Sequence, residues 1–424
     1  MPQIIEMHFS ELPLNKTILK AITQKGYDAP TPIQEKTIPL VLDNKDVIAS
    51  AQTGTGKTAA FALPIIEKLI WHQDSKKKSK KIRCLVVSPT RELAIQIQDD
   101  FKTYAKYTNL RTAVVFGGAS IEPQKDVINK GVDILIATPG RLLDLRKQEI
   151  VNLSYIQTLV LDEADLMLDM GFIDDVKKIV KLCPKNRQVL LFSATMPKKV
   201  TQLASTILNN PEKVEIAATS SAAKNVIQEL YYVPKPKKME LCLHLLRNTI
   251  KGSILIFRRT KFGVDKLEKS LGRNGYDVST IHGDKTQSAR QEALNKFKKG
   301  DVNILIATDV AARGIDISDL DAVINFDLPN IPETYVHRIG RTGRAGKSGH
   351  SYSFCGADEL NYVKSIQQLI QQQITLIEDH PYPLDKNTKA VNHKSAYQKS
   401  GNTKPGKKKG RKSANSRKNK KRWY

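Results

Sequence analysis

Cysteine is scarce in this chain: four among 424 residues, Cys84, Cys183, Cys242 and Cys355. Their spacing fits neither a zinc site nor a disulfide framework. Unpaired thiols point to a reducing compartment, and a cytoplasmic protein is expected. No apolar run approaches the ~20 residues that crossing a bilayer takes. Met1 to Lys16 mixes charged and apolar residues without a long apolar stretch, which speaks against a signal peptide. A soluble protein with no membrane partner is the expectation. Acidic residues are also in short supply: 43 Asp and Glu stand against 68 Lys and Arg, a formal net charge of +25. Such an excess implies a polyanionic partner. The stretch from Asp385 to Tyr424 holds 15 Lys and Arg and one acidic residue, so +14 of the charge sits there and +11 in the rest.

What is present in quantity is short Val-, Ile- and Leu-rich runs, each followed by a helical pattern. Cys84–Val87, Val132–Ile136, Thr158–Leu161 and Val189–Phe192 read as strands buried on both faces of a parallel sheet. Between them, Arg91 to Tyr107 places Leu93, Ile97, Phe101 and Tyr104 on one helical face. The pattern restarts with Tyr231-Tyr232-Val233, Ile254–Phe257, Ile304–Ile306 and Ala322–Ile324, with helices at Lys261–Leu271 and Ser288–Lys298. Alternation of strand and helix predicts an α/β fold of two tandem parallel-sheet domains. The expected boundaries are 1–212 for the first, 213–226 for a linker, 227–378 for the second and 379–424 for a basic tail. Gly401 to Tyr424 has no apolar period and is expected to be disordered. The lysine run from Lys76 to Lys81 reads as a solvated loop.

Ala51-Gln52-Thr53-Gly54-Thr55-Gly56-Lys57-Thr58 follows the apolar Val47-Ile48-Ala49 and opens a helix. That is the setting of a P-loop: glycines let backbone N–H groups curl round phosphates, Lys57 meets the outer phosphates, and the Thr58 hydroxyl can ligate Mg²⁺. The helix start adds partial positive charge. Ala51 stands where the stricter pattern has glycine. Asp162-Glu163-Ala164-Asp165 directly follows a strand, where a carboxylate can meet the same metal. Asp162 is the expected metal ligand and Glu163 the residue that orients and partly deprotonates an attacking water.

Together these segments resemble the DEAD-box helicases, over roughly Phe9 to Phe354 and in the family's order of motifs. The resemblance implies two RecA-like domains, ATP as substrate and RNA as partner. Gly26–Gln34 resembles the family's Q motif, which implies that the Gln34 amide pairs with the adenine edge, Tyr27 stacks on the base and Phe9 assists. Ser193-Ala194-Thr195 would link the nucleotide site to strand separation. His337–Arg344 resembles the family's last motif, which makes Arg341 and Arg344 arginine fingers and His337 a positioning group. Asp309 and Ala312–Asp316 match a motif touching RNA and nucleotide, with Asp316 near the ribose.

The resemblance further implies an RNA track: Pro89-Thr90-Arg91, Gly117-Gly118 and Thr138-Pro139-Gly140-Arg141 in the first domain, then Arg258, Gln287, Arg290 and Thr308 in the second. Contacts of this kind hold the backbone without reading bases, so weak sequence preference and marked salt dependence are expected. The implied activity is RNA-stimulated ATP hydrolysis with local opening of short duplexes or remodelling of ribonucleoprotein, by a monomer whose split site needs domain closure. Ribosomal or other ribonucleoprotein particles are the expected larger partners. The compact body resembles the bacterial RhlE type. The lysine-rich tail would tether RNA by charge. A DNA helicase or translocase, a non-enzymatic RNA-binding scaffold and, compatible with helicase activity, an RNA-annealing or ribonucleoprotein-assembly factor are the competing readings. The Q motif speaks against the first, and the presence of Lys57, Glu163, Arg341 and Arg344 against the second.

Overall fold

The computed structural model describes residues 7–51, 54–71, 81–216, 226–312, 317, 319–343 and 348–385. Two seven-stranded sheets, parallel throughout, carry the chain. The first holds β1 (Val47–Ser50), β2 (Cys84–Val87), β3 (Thr112–Val115), β4 (Ile134–Ala137), β5 (Thr158–Leu161), β6 (Gln188–Ser193) and β7 (Glu212–Glu215), in the spatial order β3-β4-β2-β5-β6-β1-β7. The second holds β8 (Val226–Tyr232), β9 (Ile254–Arg258), β10 (Val278–Ile281), β11 (Ile304–Thr308), β12 (Ala322–Asn325), β13 (Gly349–Cys355) and β14 (Thr375–Leu376), in the order β10-β11-β9-β12-β13-β8-β14. Counted from its own first strand, each sheet has the same order, so the fold is one topology used twice.

The central strands are apolar because both faces are covered by helices. β2, β4 and β5 are buried at every position. On one face of the first sheet Phe61, Phe101 and Phe192 pack together, with ring centroids 6.1 and 5.1 Å from the Phe61 ring. The helix from Arg91 ends at Tyr104, and Leu93 on its expected apolar face is only half-buried, Ala94 taking the interior place.

The expected linker is narrower than 213–226. Glu212–Glu215 is strand, paired with β1 from Val47↔Glu212 to Ser50↔Glu215, and Val226 already opens β8. Only Val214 of β7 is buried, which is why an edge strand of this composition reads as linker. The second domain also runs past 378. The Leu384 N–H donates to the Tyr232 carbonyl at 2.9 Å, and Tyr382 packs against the core beneath β8. The part of the basic tail expected to be disordered lies outside the described residues, as does the lysine run except Lys81.

Candidate active site and RNA track

Parallel strands present their following loops at one edge, and the order of strands sorts those loops. In the first sheet β5, β6 and β1 are neighbours. Their ends place Asp162-Glu163, Ser193-Ala194-Thr195 and the P-loop side by side. The loops of β3, β4 and β2, which carry Gly117-Gly118, Thr138–Arg141 and Pro89–Arg91, fill the other half of the edge. In the second sheet β10, β11 and β9 form the corresponding half, with Thr308 in register with Arg258.

On the β5-β6-β1 half, Lys57 donates to the Glu163 Oε1 at 2.7 Å, both side chains being almost fully buried. Burial would lower the lysine pKa, but the carboxylates of Glu163, Asp162 and Asp165 outweigh it and hold Lys57 protonated. Burial, and then the Glu163 charge, push Asp162 up to about 7 against the pull of Lys57. Its Oδ1 is buried without a hydrogen-bond partner. A buried carboxylate oxygen left open beside a P-loop fits a divalent cation. Glu163 has φ 51° and ψ 55°, the left-handed region. A bulky acidic residue held there stores of order 1–3 kcal/mol of strain, which is characteristic of functional positions.

Asp165, to which the sequence alone assigns no role, is tied to the tripeptide after β6. It accepts from the Thr195 backbone N–H at 2.9 Å and hydroxyl at 2.8 Å, while its own N–H donates to Ser193 Oγ at 3.1 Å. Burial would raise its pKa. The Thr195 hydrogen bonds, Lys57, His337 and Ser193 together hold it below the usual carboxylate range. Ala194 carries no such bond and separates the two that do.

The Gln34 amide is buried and engaged within the protein. Its Oε1 accepts from the Thr31 N–H at 2.9 Å and its Nε2 donates to the Gly56 carbonyl at 3.2 Å, while the Thr31 hydroxyl donates to the Thr55 carbonyl at 2.8 Å. A side-chain amide keeps one further donor and acceptor, so Gln34 latches the P-loop with half its capacity. Gly56 is required by this latch: at φ +90° a Cβ would lie 2.3 Å from Gln34 Nε2. Ala51, buried, has its N–H on the Ser193 carbonyl at 3.1 Å, and Gly54 and Thr55 are more open. Tyr27 is half-buried with Phe9 stacked on it at 6.4 Å. Phe9 itself is buried, so it backs Tyr27 and does not offer a face of its own.

Between the halves lies a cavity of about 420 Å³. Glu163, Asp165 and Thr195 line it from the first domain, and His337 and Arg341 from the second. Of the three arginines in that second-domain motif, Arg338 is not directed at the cleft. It is buried, grips Asp309 through Nε and Nη2 at 2.6 and 2.7 Å, and donates to the Asn325 side chain and the Asp327 carbonyl. Arg344, Asp316, Gln52, Thr53 and the Gln287 side chain lie outside the described residues.

On the RNA half, Thr90, Thr138 and Thr260 occupy helix N-cap positions. Thr90 and Thr260 accept from the N–H three residues on, at 3.3 and 3.1 Å, and Thr138 stands at the start of the next helix. Capping uses the oxygen and leaves the O–H as a donor. Pro89 and Pro139 are buried and shape these turns without reaching solvent. Gly117 and Gly140 have open space where a Cβ would be, whereas a Cβ at Gly118 would lie 1.6 Å from the Arg91 guanidinium. Arg91, Arg141 and Arg290 converge. Burial lowers the Arg91 pKa, Glu92 opposes, and the charges of Arg290 and Arg141 lower it further. Buried guanidinium nitrogens of Arg141 and Arg290 have no hydrogen-bond partner. Arg290 pairs with Glu92 across the domains at 3.2 Å. Arg258 is anchored on one side: its Nε is held by Asp327 at 2.8 Å and its guanidinium lies 4.3 Å over the Phe326 ring.

Comparison with known proteins gives the family. Residues 31–203 match the DEAD/DEAH box helicase model, and 237–346 the helicase conserved C-terminal domain. The ATP-dependent RNA helicase CshA of Limosilactobacillus reuteri is 46% identical over 363 residues, 86% of this chain and 72% of that one. The chain belongs to the family of DEAD-box ATP-dependent RNA helicases. Among solved structures, S. cerevisiae Dbp5 bound to RNA and ADP BeF3 is 32% identical, with a TM-score of 0.78 over 87% of this chain and 95% of that one. A DEAD box protein from Methanococcus jannaschii is 40% identical and overlays less well, with a TM-score of 0.51 over 88% and 99%. No helix among the described residues is long and apolar enough to cross a membrane.

Proposed function

We propose that this protein is an RNA-stimulated ATPase that grips the RNA backbone and opens short duplexes or remodels ribonucleoprotein. The observation that carries this reading is the cleft in which Glu163, Asp165 and Thr195 face His337 and Arg341. Phosphate oxygens drawing Lys57 away from Glu163 leave that carboxylate free to orient a water and accept its proton. Arg341, with Arg344 three residues on, stabilises charge on the transferred phosphoryl group, a contribution of ~10³–10⁵ in rate for arginine fingers. Thr58 and Asp162 would hold Mg²⁺, which neutralises phosphate charge when bound. Tyr27 and the free capacity of Gln34 recognise adenine, and Asp316 the ribose.

RNA runs along Thr90, Arg91, Thr138, Arg141, Arg290 and Thr308, of which Arg91 and Arg141 lie near the point where Glu92 meets Arg290. Gly117, Gly118 and Gly140 let the backbone approach, and Gln287 and Arg258 extend the track. The polar groups are backbone readers, so binding falls steeply with salt. The basic tail from 386 adds charge for the same RNA and, with the compact body, favours an RhlE-type member, while the four free thiols favour the cytoplasm. ATP hydrolysis with and without single-stranded RNA, in the intact protein and in Glu163→Gln, tests the reading. RNA should stimulate the intact protein, and the variant should lose nearly all turnover. No hydrolysis with any RNA would end the enzyme reading.

A further inference from the structure

The phosphate-facing track leaves one aromatic residue unexplained. Phe262 is 75% exposed, the most exposed of the large hydrophobic residues among those described. Its exposure is out of keeping with the chain, since Phe9, Phe61, Phe101, Phe192, Phe257, Phe297, Phe326 and Phe354 are all buried. It is not a displaced core residue. The helix Lys261–Arg273 turns Gly263, Val264, Leu267 and Leu271 inward, and position 262 falls outside that face. Single exposed apolar residues are ordinary on protein surfaces, so position has to decide whether this one does anything.

Its position is at the RNA half of the second sheet's ligand-presenting edge. Phe262 lies in the first turn after β9, and the Arg258 guanidinium reaches back over that turn. A Cβ at Gly263 would lie 2.9 Å from Arg258 Nη2. Lys261 stands 5.4 Å over the Phe262 ring and pairs with Asp284 at 2.6 Å, on the loop that leads into the helix bearing Arg290. An exposed aromatic ring thus carries a lysine over it, in a helix turn that the Arg258 guanidinium also reaches, at the sheet edge proposed to hold the RNA backbone. Successive bases of a single strand held by its phosphates project away from those donors and need a flat apolar partner.

We propose that Phe262 is a stacking platform for a nucleobase of the bound RNA, so that this enzyme holds bases as well as backbone. The inference rests on the RNA track proposed above. It predicts that affinity depends on bases being present, whatever their identity, because every base has a π face.

The test is equilibrium binding, with a non-hydrolysable ATP analogue, of a uridine homopolymer and an abasic oligonucleotide of equal length and backbone. The intact protein, Phe262→Ala and Phe262→Trp are compared, and thermal unfolding checks that each variant folds. Phe262→Ala should lose about fivefold or more in affinity for the homopolymer, the lower end of the range for one stacked base. It should match the intact protein on the abasic strand. Phe262→Trp should retain affinity, with indole fluorescence quenched by the homopolymer and not by the abasic strand. Equal affinity of Phe262→Ala and the intact protein for the homopolymer overturns the inference while leaving the RNA track standing. Equal losses on both strands overturn it too. An intact protein that binds neither strand removes the track itself.

Discussion

Asp165 is the residue through which the nucleotide site meets the tripeptide after β6. Thr195 donates to it twice and Ser193 receives its N–H. Asp165 also lies in the same cleft as His337 and Arg341. Removing the Thr195 hydroxyl therefore alters a link between sites more than either site. Thr195→Ala should retain ATP hydrolysis within a few-fold of the intact protein and lose most duplex opening. Side-by-side ATPase and strand-displacement assays check this, and a parallel fall in both would assign Thr195 to chemistry alone. Asp327 makes a different prediction. Burial would raise its pKa, but Arg258, the Arg259 N–H and Lys238 hold it below the usual carboxylate range. A group depressed in the folded state adds stability that is full above its unfolded pKa, about 3.9, and is lost as pH falls through the folded value. The stability gap between the intact protein and Asp327→Asn, followed by urea unfolding, should therefore be constant near neutrality and close below about pH 4.

At the scale of elements, the second sheet shows how a polar strand can be central. β13 reads Gly-His-Ser-Tyr-Ser-Phe-Cys, yet lies between β12 and β8 and is largely buried. Asn325 on β12 donates to Ser351 and Ser353 at 3.3 and 3.2 Å, so the hydroxyls are satisfied by a neighbour the sequence does not place beside them. Lys238 is another such case. Its buried ammonium donates to the carbonyls of Phe326 and Phe354 and to Glu359 at 2.9, 3.0 and 2.5 Å, and Glu359 in turn accepts from Arg259. This knot fixes β12, β13 and the loop after β9 against one another. Breaking a buried pair by removing one partner typically costs about 3–5 kcal/mol, because the other charge is stranded. Lys238→Met should lower the urea-unfolding free energy by an amount of that order, and Lys238→Met combined with Glu359→Gln should recover part of it.

For the whole molecule the deciding feature is that two copies of one topology face each other with unlike loops. The Glu92–Arg290 pair spans them within the RNA track. An ion pair that exists only when the domains meet stabilises that arrangement and nothing else. The two residues should therefore be coupled in RNA binding: a double-mutant cycle of Glu92→Gln and Arg290→Ala, read from RNA affinity in the presence of an ATP analogue, should give an interaction energy of about 0.5–3 kcal/mol. Additive effects would show that the pair does not hold the domains together. In the proposed mechanism closure is shared by ATP and RNA, so each ligand should tighten the other by the same factor.

The sequence alone determined the two parallel-sheet domains, since unbroken Val, Ile and Leu runs such as β2, β4 and β5 are soluble only when both faces are covered. It also determined the P-loop and the acidic pair after β5, because phosphate and metal chemistry demands those residue types at fixed spacing. Tertiary structure decided what depends on neighbours distant in the chain. It made β7 a strand by pairing it with β1 and carried the second domain to Leu384. It buried Phe9 behind Tyr27, assigned Arg338 to Asp309 and turned Arg258 toward Asp327. A helix or strand is set by the period of its own residues. Which charge an arginine meets depends on loops brought together only when strands far apart in sequence become neighbours in a sheet.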